Sequence, residues 1–165
     1  MEKPTTNPTT MKTNIVFVCK GNVCRSAIAE ILMKHHLQIK YGDNWYDKYI
    51  VQSGGTTPGF GKWGSKMAPK MRKIAIEHDL DKDLVNSHKA KPVTEKMLTA
   101  GDINKVIIMD MKNLTKMTEL FPNQKVEFLD QSVITDPFGK DEEHFMGCFD
   151  LIDEGCTNYV YGDKV

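Results

Sequence analysis

The sequence predicts an α/β fold of the doubly wound type, in which a four-stranded, mainly parallel sheet carries helices on both faces. Short apolar runs rich in β-branched residues recur along the chain, and such runs are typical of strands buried on both faces of a parallel sheet. They alternate with segments whose apolar residues recur every three or four positions, as they do in helices. Strands that alternate with helices are joined by crossover connections, which makes neighbouring strands parallel.

The composition indicates one globular domain without a strongly charged surface. The chain has 165 residues, 40% of them hydrophobic, which is enough for one core and too short to expect two. Lys plus Arg and Asp plus Glu both number 22, so the overall charge indicates neither a nucleic acid nor a membrane as partner. We predict a disordered tail over 1–12, a single domain over 13–160 and a C-terminal tail over 161–165. Residues 1–12 lack the apolar centre of a secretory signal, and no apolar run approaches the ~20 residues of a membrane span, so we expect a cytoplasmic protein.

The first strand and the first helix are defined by a change of pattern. An uninterrupted Ile-Val-Phe-Val run predicts a strand over 15–18. Helical spacing follows over 26–40, with Ser26 as the expected N-cap and Gly42 as the expected C-terminal cap.

The other elements follow from the same signals. In chain order, we predict a strand over 47–53, a glycine-rich loop over 53–61, a helix over 67–78, an irregular stretch after residue 80, a short helix over 95–98 capped by Thr94, a strand over 106–110, a helix over 112–121, a strand over 126–129 and a helix over 141–159. Cys148 and Cys156 share an apolar face of the last helix, which favours packing over a redox pair or zinc ligands.

The loop between the first strand and the first helix is the predicted functional site. It lies at the carboxyl end of a strand, where open α/β sheets bind ligands, and at the amino end of a helix, where free N–H groups favour an anion. Gly21 allows a tight backbone, and Arg25 supplies a planar fork of donors suited to phosphate. The same surroundings favour the ionised form of Cys19. A thiolate beside a phosphate-binding loop predicts a nucleophile that attacks phosphorus.

Cys19, the five residues after it, Arg25 and Ser26 form a Cys-x5-Arg-Ser/Thr pattern. This pattern resembles the phosphate-binding loop of the protein tyrosine phosphatases. Its position near the amino terminus, with Gly21-Asn22 and Cys24 inside the loop, is similar to the low-molecular-weight branch. The predicted phosphate-binding loop consists of Lys20, Gly21, Asn22, Val23, Cys24, Arg25 and Ser26.

The resemblance implies an enzyme that dephosphorylates phosphotyrosine in proteins through a cysteinyl-phosphate intermediate. Its partners would be phosphotyrosine-containing proteins, with inorganic phosphate as product and inhibitor and with no cofactor or metal. Asp136-Pro137-Phe138 resembles the loop that supplies the general acid in this family, although Asp-Pro is also a common turn opener. The acid must be protonated while the cysteine is ionised, so we expect a bell-shaped, mildly acidic optimum.

The resemblance also assigns supporting residues. A network that stiffens the phosphate-binding loop would use Asn22, Ser26, Ser53 and His88, with Ser26 also stabilising the Cys19 thiolate as a leaving group. Asn22 is a residue type that tolerates a positive φ, which such a strained turn requires. Cys24 would form a reversible disulfide with Cys19 under oxidation, or serve as a small packing residue in the loop.

The substrate pocket is the least determined part of the site. Val23 and Phe138 are predicted to line it, and either Phe60 or Trp63 would flank the substrate ring. The resembling arginine phosphatases tend to carry Thr at the position of Val23, so an apolar side chain there favours phosphotyrosine, with phosphoarginine as the alternative. The similar arsenate reductases recruit further cysteines from a mobile segment ahead of the Asp-Pro loop, whereas Cys148 and Cys156 come after Asp136 on a helix. A non-catalytic phosphoprotein-binding module would not need the nucleophile and the acid.

Overall fold

In the computed structural model of the protein, which describes residues 11–131 and 133–162 without the side chain of Phe60, four parallel strands form one sheet. The strands are β1 (Thr13–Cys19), β2 (Tyr49–Gly55), β3 (Ile103–Ile108) and β4 (Glu127–Phe128). Their order in the sheet is β2-β1-β3-β4, and all three pairings are parallel. The predicted fold class is therefore confirmed, and β1 with its following loop lies at the centre of the sheet.

In the described residues, six helices cover the sheet: α1 (Arg25–Tyr41), α2 (Pro69–Glu77), α3 (Lys82–Ser87), α4 (Glu95–Leu98), α5 (Met111–Leu120) and α6 (Glu142–Tyr161). Short 3-10 turns occupy Trp45–Asp47, Gly59–Gly61 and Leu129–Gln131. No helix in the described part of the chain is long and apolar enough to cross a membrane.

The buried side chains form two cores, one on each face of the sheet. Successive residues of a strand point to opposite faces, so Ile15 and Phe17 of β1 enter one core while Val16 and Val18 enter the other. The first core is covered by α1, α2, α3 and α6, and the second by α4 and α5. This arrangement explains why β1 is buried from Asn14 onward and why its residues 15–19 form a continuous apolar run.

The structure corrects several predicted details. The residue at the N-cap of α1 is Cys24, and no side chain caps this helix, so the prediction of Ser26 as N-cap is wrong; its hydroxyl is engaged within the loop instead. The stretch predicted to be irregular contains α3, whose first N–H groups are capped by Asp81. β2 continues through Gly54 and Gly55, which were predicted to lie in the glycine-rich loop. Both positions require glycine, because an added Cβ would collide with the backbone of Val93 at Gly54 and with the Lys20 carbonyl and the Trp63 ring at Gly55.

Other predicted signals are confirmed. Gly42, at a φ of 83°, follows α1 and donates its N–H to Gln38. Thr94 accepts a hydrogen bond from the N–H of Met97 and so caps α4. Of the predicted tails, residues 1–10 and 163–165 lie outside the described residues, so the predicted domain limits stay a prediction.

Candidate active site

The loop between β1 and α1 lies at the carboxyl edge of the sheet. Cys19 is the last residue of β1 and is almost fully buried, with 3% of its surface exposed. Its sulfur forms a 2.9 Å hydrogen bond with the hydroxyl of Ser26 in the first turn of α1. The two ends of the loop are therefore joined through the thiol.

Donors outside the loop hold its backbone by hydrogen bonds to its carbonyl groups. The N–H of Thr56 donates to the carbonyls of Cys19 and Lys20, the N–H of Ala68 to that of Val23, and the imidazole of His88 to that of Asn22. Within the described residues, by contrast, the N–H groups of residues 21–26 find no acceptor. Free N–H groups at a helix start form a ready site for an anion such as phosphate.

The side chain of Asn22 connects the loop to neighbouring segments. Its φ is 57°, in the left-handed region that asparagine tolerates better than most residues. The buried amide donates to the hydroxyls of Ser26 at 2.8 Å and Ser53 at 3.0 Å, and its oxygen accepts the N–H of Lys91 at 3.1 Å. The strained backbone is thus held by hydrogen bonds from three separate segments.

The network reaches outward through Ser53 and His88. The Ser53 hydroxyl donates to a carboxylate oxygen of Glu30, which also pairs with Lys34. His88 lies 2.7 Å from the carbonyl of Asn22, so its Nε2 must carry a proton. Burial lowers the pKa of His88, although its hydrogen bond to Asn22 acts in the opposite direction. A neutral imidazole with the proton on Nε2 satisfies both conditions.

Arg25 is the first residue of α1, and its buried guanidinium faces the carboxylates of Asp110 and Asp136. Its Nη1 donates to Asp110 at 2.7 Å and to the carbonyl of Ile134 at 2.8 Å, and its Nη2 lies 3.7 Å from Asp136. Burial alone would lower the pKa of Arg25, but Cys19 and the two carboxylates outweigh burial and raise it. The guanidinium is therefore a permanent positive charge beside the thiol.

Asp110 is a site residue that the sequence analysis missed. It follows β3 after Met109 and caps α5 by accepting the N–H of Asn113, whose side-chain oxygen in turn accepts the N–H of Asp110. Burial would raise the pKa of Asp110, but the hydrogen bonds from Arg25 and from the Asn113 backbone hold it below its usual value. The sequence signal that could have identified Asp110 was an acidic N-cap after a strand, at the same edge of the sheet as Arg25.

Asp136 approaches the loop from the segment that follows β4. Its Oδ1 accepts the N–H of Phe138 at 3.1 Å, and its Oδ2 faces Arg25. The side chain is 42% exposed, so the carboxyl group is in contact with solvent as well as with the site. Asp136, Cys19 and Arg25, predicted from distant parts of the sequence, thus meet at one place.

A pocket of about 260 Å³ opens over the thiol. It is lined by Cys19, Lys20, Gly21, Val23, Cys24, Arg25, Thr57, Pro58, Gly59, Asp136 and Phe138. The predicted lining residues Val23 and Phe138 are therefore both present. Trp63 is not among them, because its ring packs against the backbone of Gly55. The side chain of Phe60 lies outside the described residues, so the residue that flanks a substrate ring stays a prediction.

The remaining cysteines are buried. Interaction with the Cys148 thiol of α6, together with burial, raises the pKa of the Cys24 thiol. The Cys156 thiol contacts the carbonyl of Ala29 at 3.8 Å inside the core. Cys148 and Cys156 do lie on the buried face of α6, as expected for packing residues. Among the described residues, no three His, Cys, Asp or Glu side chains cluster as a metal site would require.

Comparisons with known proteins agree with this geometry. The family model described as low molecular weight phosphotyrosine protein phosphatase matches residues 14–164. The low molecular weight protein-tyrosine-phosphatase PtpA of Staphylococcus haemolyticus is 26% identical over 158 residues, covering 89% of this chain and 91% of that protein.

Two solved structures show similar folds. A protein tyrosine phosphatase from Entamoeba histolytica has a TM-score of 0.76 at 25% identity, covering 93% of this chain and 100% of the other. A variant of the YwlE arginine phosphatase with a phosphorylated active-site serine also has a TM-score of 0.76, at 24% identity, covering 92% of this chain and 95% of the other.

Proposed function

Because this chain belongs to the low molecular weight phosphotyrosine protein phosphatase family, it is a cysteine-dependent phosphatase, and we propose that it hydrolyses phosphotyrosine in proteins with Cys19 as nucleophile and Asp136 as general acid. The observation that carries the proposal is the convergence on one pocket of a thiol, a buried guanidinium and an exposed carboxyl group. These are the groups that nucleophilic attack on a phosphate monoester requires.

In the first step the Cys19 thiolate attacks phosphorus. A P–S bond forms as the P–O bond to tyrosine breaks, and Asp136 donates its proton to the departing phenolic oxygen. A phenol has a pKa of about 10, so protonation as the bond breaks gives a much better leaving group. Arg25 and the N–H groups of residues 21–26 stabilise the charge of the phosphoryl oxygens during transfer.

In the second step water attacks the phosphocysteine. The Asp136 carboxylate accepts a proton from that water, the P–S bond breaks, and inorganic phosphate is released. Cys19 leaves as a thiolate, which the Ser26 hydroxyl stabilises by its hydrogen bond. Phosphate, the product, occupies the same loop and therefore inhibits. A thiolate nucleophile works only when reduced, so we propose a cytoplasmic location.

The pocket walls support an aromatic substrate. Val23, Pro58 and Phe138 present apolar surface beside the thiol, which suits a phenyl ring. We propose phosphoarginine as the second candidate substrate, because the Thr57 hydroxyl and the Asp136 carboxyl group also line the pocket and can pair with a guanidinium. The YwlE neighbour, an arginine phosphatase by its name, has a similar fold.

One experiment separates the candidates. Wild type and Cys19→Ser are assayed with a phosphotyrosine peptide, the same peptide carrying phosphoarginine, and arsenate with a thiol reductant. We expect wild type to release phosphate from phosphotyrosine with the higher kcat/KM, Cys19→Ser to be inactive, and added phosphate to inhibit competitively. Higher kcat/KM on phosphoarginine would favour the second candidate, arsenate reduction alone would identify a reductase, and binding without hydrolysis would identify a phosphoprotein-binding module.

A further inference from the structure

A second cleft continues from the phosphate pocket along the carboxyl edge of the sheet. It has a volume of about 680 Å³ and shares Lys20, Arg25, Thr57 and Asp136 with the pocket over the thiol. Its other lining residues come from the start of α5 and from the segment before Asp136: Asp110, Met111, Lys112, Asn113, Lys116, Val133 and Thr135, together with Thr56. Because the cleft adjoins the pocket over Cys19, it lies within reach of the residues that flank a phosphotyrosine seated there.

The cleft carries an excess of positive charge beyond the Arg25 guanidinium. Its two carboxylates, those of Asp110 and Asp136, both face Arg25. Its three lysines are different: among the described residues, Lys20 and Lys112 have no carboxylate partner, and Lys116 lies 3.6 Å from an exposed Glu119 in a surface pair that is only weakly stabilising. These lysines are therefore available to a negatively charged ligand.

Two of these lysines lie on helix α5. Lys112 and Lys116 are four residues apart and so lie on the same side of α5, in its first two turns. The amino end of a helix favours negative and disfavours positive side chains. Lys112, in the first turn, thus adds to the positive potential of the helix end, and Lys116 extends the positive charge along the side of the helix that lines the cleft.

The floor and rim of the cleft also fit a peptide. Met111 and Val133 are 57% and 55% exposed, so each offers apolar surface to a bound chain. A cleft that combines apolar contacts with lysines that are unpaired or only weakly paired suits an extended segment with acidic side chains better than a small inorganic anion, for which the phosphate loop is already suited.

Building on the proposed function, we propose that this cleft binds acidic residues that flank the phosphotyrosine of the substrate protein, with Lys112 and Lys116 as specificity-determining residues. Pairing with an acidic flank is worth little for each exposed lysine, so the expected preference is about threefold to tenfold in kcat/KM at low salt. It decreases at higher ionic strength, because salt screens exposed charges.

The test compares three phosphotyrosine peptides, in which three Glu residues lie before the phosphotyrosine, after it, or are replaced by Gln throughout. The enzymes are wild type, Lys112→Gln/Lys116→Gln, and a control Lys48→Gln/Lys125→Gln, whose two exposed lysines lie at the opposite edge of the sheet. We expect wild type and the control to prefer one Glu peptide over the Gln peptide, and the Lys112/Lys116 variant to lose most of that preference. Hydrolysis of para-nitrophenyl phosphate, which does not reach the cleft, stays unchanged in all three.

Failure of this proposal differs from failure of the proposed function. If the three peptides are hydrolysed equally by wild type, or if the preference survives in Lys112→Gln/Lys116→Gln, the acidic-flank proposal is overturned while the phosphatase stands. If no aryl phosphate is hydrolysed, the proposed function is overturned. The cleft is then tested by peptide affinity: with Cys19→Ser, tighter binding of a Glu peptide that Lys112→Gln/Lys116→Gln abolishes supports it, and equal binding of all three peptides refutes it.

Discussion

At the scale of single residues, the site depends on how Arg25 is held. One nitrogen of its guanidinium is committed to Asp110 and to the carbonyl of Ile134, and the other lies near Asp136. The planar fork is thus fixed by contacts from the segments after β3 and β4 before any substrate arrives. Pre-orientation of this kind lowers the cost of positioning the phosphoryl group.

The link between Arg25 and Asp110 makes stability depend on pH in the acidic range. The pKa of Asp110 is lower in the folded protein than in the unfolded chain. Its contribution to the free energy of unfolding is therefore complete above about pH 4, the ordinary range of an Asp, and is lost as the pH falls through the lower folded pKa. Asp110→Asn keeps a capping side chain for α5 and should reduce the free energy of unfolding by about 1–3 kcal/mol at pH 7.

Urea denaturation of both proteins between neutral pH and pH 3 measures this effect. The difference between wild type and Asp110→Asn should shrink at the acidic end, because below about pH 4 Asp110 becomes protonated in the unfolded chain and the advantage of its lowered folded pKa is progressively lost. A difference that stays constant down to the lowest pH would mean that the charge of Asp110 does not matter to stability.

Ser26 offers a prediction about the second chemical step. Ser26→Ala removes the hydroxyl 2.9 Å from the Cys19 sulfur, so the thiolate loses a hydrogen bond when it leaves phosphorus. A hydrogen bond to a charged group is worth about 1.5–3 kcal/mol, so kcat should fall roughly tenfold to a hundredfold. Rapid-mixing kinetics with para-nitrophenyl phosphate should show a burst of nitrophenol followed by slow turnover. Slow turnover without a burst would place the defect in the first step.

At the scale of elements, neighbouring segments hold the predicted phosphate-binding loop by hydrogen bonds. Asn22 joins the loop to β2 through Ser53 and to the segment before α4 through Lys91. The loop would otherwise have little reason to keep Asn22 in a left-handed conformation. Because these hydrogen bonds hold the loop together, a single substitution among the residues that form them should affect both stability and catalysis.

Two substitutions at Asn22 separate backbone strain from lost hydrogen bonds. Asn22→Ala removes the bonds and places an alanine at a φ of 57°, so the free energy of unfolding should fall by about 3–5 kcal/mol. Asn22→Gly loses the same bonds without the strain and should be about 1–2 kcal/mol more stable than Asn22→Ala. Chemical denaturation measures both. Equal stabilities would show that the backbone relaxes out of the left-handed region when the bonds are gone.

Helix α6 supports the segment that carries Asp136, the proposed general acid. Gly155 lies so close to Leu129, the first residue of the turn before the Asp136 segment, that an added Cβ would lie 2.6 Å from a Leu129 carbon. Gly155→Ala should therefore destabilise the protein by about 1–2 kcal/mol despite the better helix propensity of alanine. Gly147→Ala is the matched control, because no atom lies within 4 Å of its added Cβ.

Thermal unfolding of the two variants distinguishes packing from propensity. Gly147→Ala should raise the free energy of unfolding by up to about 1 kcal/mol, as expected for alanine in an exposed helical position. Gly155→Ala should lower it and reduce kcat, because a shifted Leu129 displaces the turn that precedes Asp136. If both variants are stabilised, Leu129 has space to move and α6 does not constrain the acid segment.

At the scale of the whole molecule, the features that could be predicted from the sequence are those that depend on a local residue pattern. Strand β1 and the loop after it were recognisable because an apolar run, a glycine and a helix start follow one another within a few residues. Helix α3 was missed because its six residues bury only Val85, too few for a helical period to show. The pairing of Arg25 with Asp110 was missed because the two residues are 85 positions apart and meet only through the order of the strands.

The central position of β1 determines when the enzyme can first become active as it folds. Thr13 pairs with Tyr49 on one side and with Ile103 on the other, so the middle strand must wait for two distant partners. Contacts between such distant residues slow folding, because long segments must be ordered first. A growing chain that ends before β3 already contains Cys19 but not the carboxylate that holds Arg25. Phosphatase activity should therefore emerge late, once the sheet is complete, and unfinished chains should leave phosphoproteins untouched.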